Sequence, residues 1–455
     1  MHFADSTAPR TRRFAFDLLA PIVVVLCCGA LVLAAPIPSN PTTATPKATA
    51  ERPAETHAAI KKFEGGDIEG AYKLLVDVVK RQPQLPPARV MLANMFLTDS
   101  RFAEGRMQLE RAVVEDPSDP EPHFTFGDLA IRDQRASDAE AQYDRGGELL
   151  KQFKGNKNRT ADLTFKLHFG RFSVARLREQ QVVAEKELRA ALKLQPKHPG
   201  ALRELGRVLF LTDKMDDAYK AFQAAEEVDK GQLPAELAMA RLYQQTAQTE
   251  RMVEWLKRGV EKSPKDVRGH VALAHAALVT HDLELAQTES AAAAKIDPKS
   301  ADVRALLGTV ARYRGDLPTA QRHLESAIEK APGDFSSSNQ LALVLADQGA
   351  GANLQRAITL AKFNLESNPR SPIAAATLGW VTYRAGNVAE AEQGLKAAMS
   401  AGDIGRDGTY FLARVLADRG RTKDAAKLLQ RCLDSAGPFV HLADAEALQK
   451  ELAGK

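Results

Sequence analysis

Cysteine, aromatic side chains and any excess of charge are all scarce in this sequence. Of its three cysteines only Cys432 lies beyond residue 35, so no intrachain disulfide can form in the larger part of the chain. Aromatics make up 6% of the 455 residues, and no aromatic-rich sheet signature for stacking bases is present. Lysine and arginine total 62 against 58 acids, a net charge of +4 that gives no electrostatic case for nucleic acid as a partner. There is no phosphate loop, no CxxC pair, no HExxH and no GxSxG elbow. His270, His275 and His281 stand five and six residues apart, on different helix faces, and read as ordinary histidines rather than a metal site. These absences point to a chain that is not an enzyme, with no cofactor, no metal and no small-molecule substrate.

Long apolar runs are equally rare, with one exception near the start. Arg10, Arg12 and Arg13 (within a basic flank, 1–17) precede LLAPIVVVLCCGALVLAA at 18–35. A signal-peptide core usually spans about 7 to 15 residues and a membrane span about 17 to 25, so the run reads as a single-pass anchor, with a cleaved signal as the alternative. No basic residue follows until Lys47, so the positive-inside rule places the N-terminus in the cytoplasm and the rest outside it; cleavage would instead leave a secreted or periplasmic protein. Residues 36–53 contain Pro36, Pro38, Pro41, Pro46 and Pro53 among threonines and alanines, a linker with little to bury.

From residue 54 onward the chain repeats itself. Prolines recur at Pro83, Pro117, Pro264, Pro298 and Pro332, at intervals of 34 or a multiple of it with insertions. The clearest unit is ADVRALLGTVARYRGDLPTAQRHLESAIEKAPGD at 301–334. Gly308 on its first helix and Ala320 and Ala327 on its second permit close approach, and Leu307 and Leu324 fill the space beside them. Gly315 can end the first helix in the left-handed conformation, Asp316 can cap the second, and Pro332 stops it. This unit resembles the tetratricopeptide repeat. The same frame can be laid along about eleven units over 54–437, slipping by eleven residues near 147–164 and by about three near Gly349 to Gly351. Residues 438–455 form one more amphipathic helix suited to capping the end. The resemblance implies an all-α, right-handed α-solenoid built of helix-turn-helix repeats.

The resemblance also implies a non-enzymatic scaffold that binds partner proteins or peptides in the concave groove lined by the first helix of each repeat. Those positions are occupied by Arg203, Arg207, Arg241, Arg268, His275, Arg312, Tyr313, Trp380, Tyr383, Arg384, Tyr410 and Arg414. Arginines interleaved with aromatics suit an acidic segment, by charge-assisted hydrogen bonds and stacking. With the N-terminal run, this implies a scaffold at the cell envelope; the alternative is a targeting or regulatory subunit whose catalytic partner is another chain, for example in envelope or polysaccharide biogenesis or export. In the insertion, Lys151, Lys154, Lys157 and Arg159 read as a long solvated helix end and loop, or else as a basic lobe for anionic lipid or an acidic partner.

Overall fold

The computed structural model describes residues 54–231, 233–349, 351–435 and 437–454. The anchor-or-signal segment at 18–35 and the linker at 36–53 lie outside the described residues. Within them every regular element is an α-helix, and no helix is long and apolar enough to cross a membrane. Contacts divide the chain into two units, with the boundary in the sequence between Gln348 and Gly349.

The first unit holds α1 (Ala54–Glu64), α2 (Ile68–Arg81), α3 (Ala88–Thr98), α4 (Phe102–Glu115), α5 (Glu121–Arg132), α6 (Ala136–Gln152), α7 (Lys157–Leu177), α8 (Gln181–Leu194) and α9 (Pro199–Leu211). It continues with α10 (Met215–Val228), α11 (Ala235–Gln245), α12 (Thr249–Lys262), α13 (Val267–Val279), α14 (Leu283–Ile296), α15 (Ala301–Tyr313), α16 (Leu317–Lys330) and α17 (Phe335–Asp347). The second unit holds α18 (Ala352–Ser367), α19 (Pro372–Arg384), α20 (Val388–Ala401), α21 (Gly405–Asp418), α22 (Thr422–Asp434) and α23 (Leu442–Ala453). Within each unit a helix packs most extensively on its hairpin partner and next on the helix that follows, which is the arrangement of an α-solenoid.

Small residues set the hairpin seams. A methyl group added at Gly308 would sit 2.6 Å from Leu324 Cγ and 3.2 Å from the Ala320 carbonyl oxygen, so α15 and α16 can meet only over a bare backbone. Ala320, Leu324 and Ala327 are buried on the opposite side of that seam. Tyr143 of α6 lies against two bare positions, Gly127 of α5 and Gly170 of α7, where added methyls would lie 2.7 and 2.2 Å from its ring atoms.

First helices end in one way throughout. Gly66, Ser100, Gln134, Glu179, Asp213, Ala247, His281, Gly315, Gly349, Gly386 and Gly420 all have positive φ. Each stands 34 residues from the previous one, except across the two places where the sequence frame slips. The left-handed residue turns the chain so that the next N–H reaches back five residues: Asp316 N donates to Ala311 O at 2.9 Å, and Arg101, Gln180, Lys214, Gln248 and Asp282 repeat the bond at 2.8–2.9 Å. This closure satisfies carbonyls the helix end leaves open. Asp67, Asp282 and Asp316 then cap the second helices by accepting from Gly70, Leu285 and Thr319 N–H.

The insertion lengthens two helices, α6 to 17 residues and α7 to 21, and leaves 154–158 exposed around the turn between them; it departs from its sequence reading at one residue. Arg159, expected on the surface, has a side chain only 12% exposed; its Nη2 donates to Asp119 Oδ2 at 2.5 Å and Glu121 Oε2 at 3.1 Å, both carboxylates being 3% exposed. Lys166 donates to the other Glu121 oxygen. A basic lobe of four charges therefore loses one to the interior, while Lys151, Lys154 and Lys157 remain exposed.

Candidate functional site

The expected groove residues all belong to first helices, and each is placed here on its own helix. In α9, α11 and α13, Arg207, Arg241 and His275 occupy one register position, 34 residues apart and each six residues before its left-handed residue. All three are half-buried, as is Arg203 one turn earlier on α9. Arg203 and Arg207 make no hydrogen bond or ion pair among the described residues. The Arg207 charge reaches its neighbour: burial foremost, and then the Arg207 guanidinium, push the Arg241 guanidinium below its ordinary pKa. Arg203 stands close enough to His198 to add to the burial that lowers the imidazole pKa there. His275 is the uncharged rung of this series, because burial pushes its pKa down to about 4.

Other expected positions do something else. Arg268 turns back on Asp266, Nε to Oδ1 at 3.0 Å and Nη2 to Oδ2 at 2.7 Å, and so braces the start of its own helix. Arg312 is 1% exposed and donates from Nη1 to Gln340 Oε1 at 2.7 Å, with Asp347 Oδ2 4.0 Å from Nη2. Tyr313 is buried beside it in the chain. Neither presents a binding group at the surface, contrary to their placement from the repeat frame. The frame identifies the side from which a residue emerges and is silent about what packs over it.

The second unit gives the same correction for the aromatics. Trp380 and Tyr410 are 3% and 5% exposed. Trp380 stacks on Phe411 with ring centroids 4.3 Å apart, and His441 stacks on Tyr410 at 5.1 Å. The chain between α22 and α23 is drawn across these rings. Arg406 donates from Nε to Cys432 O at 2.8 Å and from Nη1 to Gly437 O at 2.6 Å, while Asp407 Oδ1 accepts from the Val440 and His441 N–H groups. Phe439 follows that path into the interior, with the Arg406 guanidinium 4.6 Å from its ring centroid. Trp380 and Tyr410 thus serve cohesion. Tyr383 donates to Asp418 Oδ2 at 2.5 Å, Arg414 pairs with Asp418 Oδ1 at 3.1 Å, and exposed Arg384 lies 5.7 Å from the Trp380 ring centroid.

The described residues hold no group of three or more His, Cys, Asp or Glu side chains that could bind a metal ion. His270, the first of the clustered histidines, is bound at Nδ1 to Glu289 (2.6 Å) and at Nε2 to the Pro264 carbonyl (3.1 Å). What the face of α9 and α11 offers is cationic hydrogen-bond donors held in a fixed register, beside the uncharged His275 of α13.

Comparison with known proteins agrees on the repeat. Residues 183–232, 305–353 and 377–441 match the family model described as tetratricopeptide repeat. A TPR repeat-containing protein of Pseudomonas aeruginosa, PA4667, is 25% identical over 198 residues, 43% of this chain and 33% of that protein. The chain therefore spans about a third of the length of that curated relative. Among solved structures, the APC/C hetero-tetramer Cut9-Hcn1 is similar over 88% of this chain and 83% of its own, at 14% identity and a TM-score of 0.41. Yeast Tom70 is similar over 88% of this chain and 95% of its own, at 11% identity and a TM-score of 0.35. The chain carries tetratricopeptide repeats in an all-α solenoid.

Proposed function

We propose that this chain is a non-enzymatic scaffold that gathers other proteins at the cell envelope, using the first-helix face of α9, α11 and α13 to hold them. Tetratricopeptide repeats are interaction modules, and stacked repeats expose a continuous lining of first helices to a ligand. The observation that carries the reading is the half-buried pair Arg203 and Arg207, charged and without a partner among the described residues, on a face where the apolar side chains are taken up by seams. Arginine is costly to shield from water without an acceptor, and its persistence at such a place fits a ligand that supplies one. The envelope assignment rests on Arg10, Arg12 and Arg13 ahead of the apolar run at 18–35.

A photo-crosslinking residue at Gln245, exposed one turn after Arg241 on α11, is expected to trap a partner protein in cells. The same residue at Val182, 80% exposed on a second helix, is expected to trap none. Equal yields at both positions would remove the reading. Mass spectrometry of the N-terminus is expected to find residues 18–35 retained in the membrane fraction; a soluble chain starting beyond Ala35 would overturn the anchor.

A further inference from the structure

We propose that the chain at 437–441 is an internal ligand of the groove between α19 and α21, and that a partner protein presenting a phenylalanine two residues before a histidine displaces it. The inference concerns the second unit and is independent of the face formed by α9, α11 and α13. α22 is joined to α23 through seven residues, 435–441, whereas the other second helices are joined to the helix that follows through three to six. The extra length is laid over Trp380 and Tyr410, two aromatic positions expected of a groove. His441 enters a box of three rings, its centroid 5.7 Å from Trp380, 5.1 Å from Tyr410 and 5.4 Å from Phe411. Phe439 lies between the Tyr410 ring, 6.3 Å away, and the Arg406 guanidinium.

Extended peptides are held in this way, by bonds to the main chain and by pockets for alternate side chains. Asp407 Oδ1 accepts from the Val440 and His441 N–H groups at 3.1 and 3.3 Å, and Arg406 Nη1 donates to the Gly437 carbonyl at 2.6 Å. Both grips come from the first turn of α21, and any extended chain offers the same N–H and C=O groups to them. The anchors are concentrated in the strap itself: Phe439 and His441 are 1% and 8% exposed, while α23 beyond them buries Ala445 and Leu448. Gly437, at φ 112° and followed by Pro438, makes the turn that α22 needs to deliver the strap to the rings. A tethered segment acts at an effective concentration on the order of millimolar, so the groove is masked from weak partners and yields to one that binds more tightly.

The test uses the full-length chain and a fluorescein-labelled peptide, SAGPFVHLAD, that copies residues 435–444, followed by anisotropy. F439G/H441G is expected to bind it at least tenfold more tightly than wild type, and W380A/F439G/H441G no better than wild type. The peptide SAGPGVGLAD, without either ring, is expected to bind none of the three. Far-UV circular dichroism checks that the variants fold. Equal binding by wild type and folded F439G/H441G overturns the proposal and makes the strap a strut. Should F439G/H441G not fold, hydrogen exchange in wild type decides. Unlabelled SAGPFVHLAD, at several times the effective concentration of the strap, is expected to speed exchange of the Val440 and His441 amides at least tenfold and to leave the Phe411 amide unchanged; no acceleration overturns the proposal. Wild-type dimers that the peptide dissociates would give the groove to a second copy and overturn the partner assignment. Cross-linking at Gln245 reads the other face, so its outcome and this one are separable.

Discussion

Arg159 neutralises two carboxylates that have almost no access to water. Burial raises the Asp119 pKa despite the guanidinium, whereas for Glu121 burial is outweighed by Lys166 and Arg159 together and its pKa falls below the ordinary range. Removing the arginine leaves both acids enclosed, so Arg159→Met is expected to destabilise the chain by about 3 kcal/mol in urea denaturation, far more than Lys157→Met on the exposed turn before it. Two buried titrations run in opposite directions. Asp128, held at about 6 by burial although Tyr143 Oη donates to it at 2.7 Å, keeps its proton in the folded state where the unfolded chain has released it. Its contribution to stability therefore declines as pH rises from about 4 to about 6. His275 does the reverse: the unfolded imidazole charges near pH 6.5 and the folded one only near 4, so stability declines as pH falls through that window. Asp128→Asn is expected to be more stable than wild type at pH 7, by on the order of 1–2 kcal/mol, and indistinguishable from it at pH 3.5. His275→Gln is expected to flatten the acid limb of the stability curve. None of these pairings was legible in the sequence, because Asp119, Glu121 and Arg159 lie some 40 residues apart and meet only through the fold. A run of lysines and arginines without acids looks solvated whenever its acids are remote.

At the level of the helix, the sequence was far more informative. Gly308, Ala320, Leu324 and Ala327 fall on the seam their spacing implies, and Gly315 takes the left-handed turn with Asp316 capping the next helix, as expected from residue type alone. What composition concealed is that the same turn is made by Ser100, Gln134, Glu179, Asp213, Ala247 and His281, which have side chains opposed to it. Their conformation is imposed by the packing of the hairpin on either side. Replacing one by glycine relieves that opposition, so Ala247→Gly is expected to raise stability by about 1 kcal/mol and Gly315→Ala to lower it by a similar amount, read as shifts in denaturation midpoint. Seam glycines obey a different rule. Gly308→Ala is expected to cost about 1–3 kcal/mol by forcing Leu324 and the Ala320 backbone apart. Gly394, a helical glycine with open space where a methyl would go, is expected to gain about 0.5–1 kcal/mol on the same change.

Over the described residues, the left-handed residues keep a 34-residue stride apart from two slips, the second between Gly349 and Gly386. The sequence frame did not anticipate that contacts divide the chain at that second slip. Because each unit's contacts run chiefly between successive helices, residues 54–348 expressed alone are expected to give a helical circular dichroism spectrum and a cooperative urea transition; a spectrum of unfolded chain would show that the division is no folding boundary. The expected groove was legible only in part. Arg203, Arg207, Arg241 and His275 stand half-buried where the repeat put them, but Trp380 and Tyr410 were assigned outward because periodicity cannot foresee the return of the chain through Phe439 and His441.

The residues that hold the hairpins together and those that line α9, α11 and α13 occupy separate columns of the repeat. Gly206 and Ala218 close a seam, and Arg207, the very next residue after Gly206, has no part in it. Such a layout keeps the arginine column apart from the seams: a side chain there can be rewritten one rung at a time with the stack beneath it unmoved.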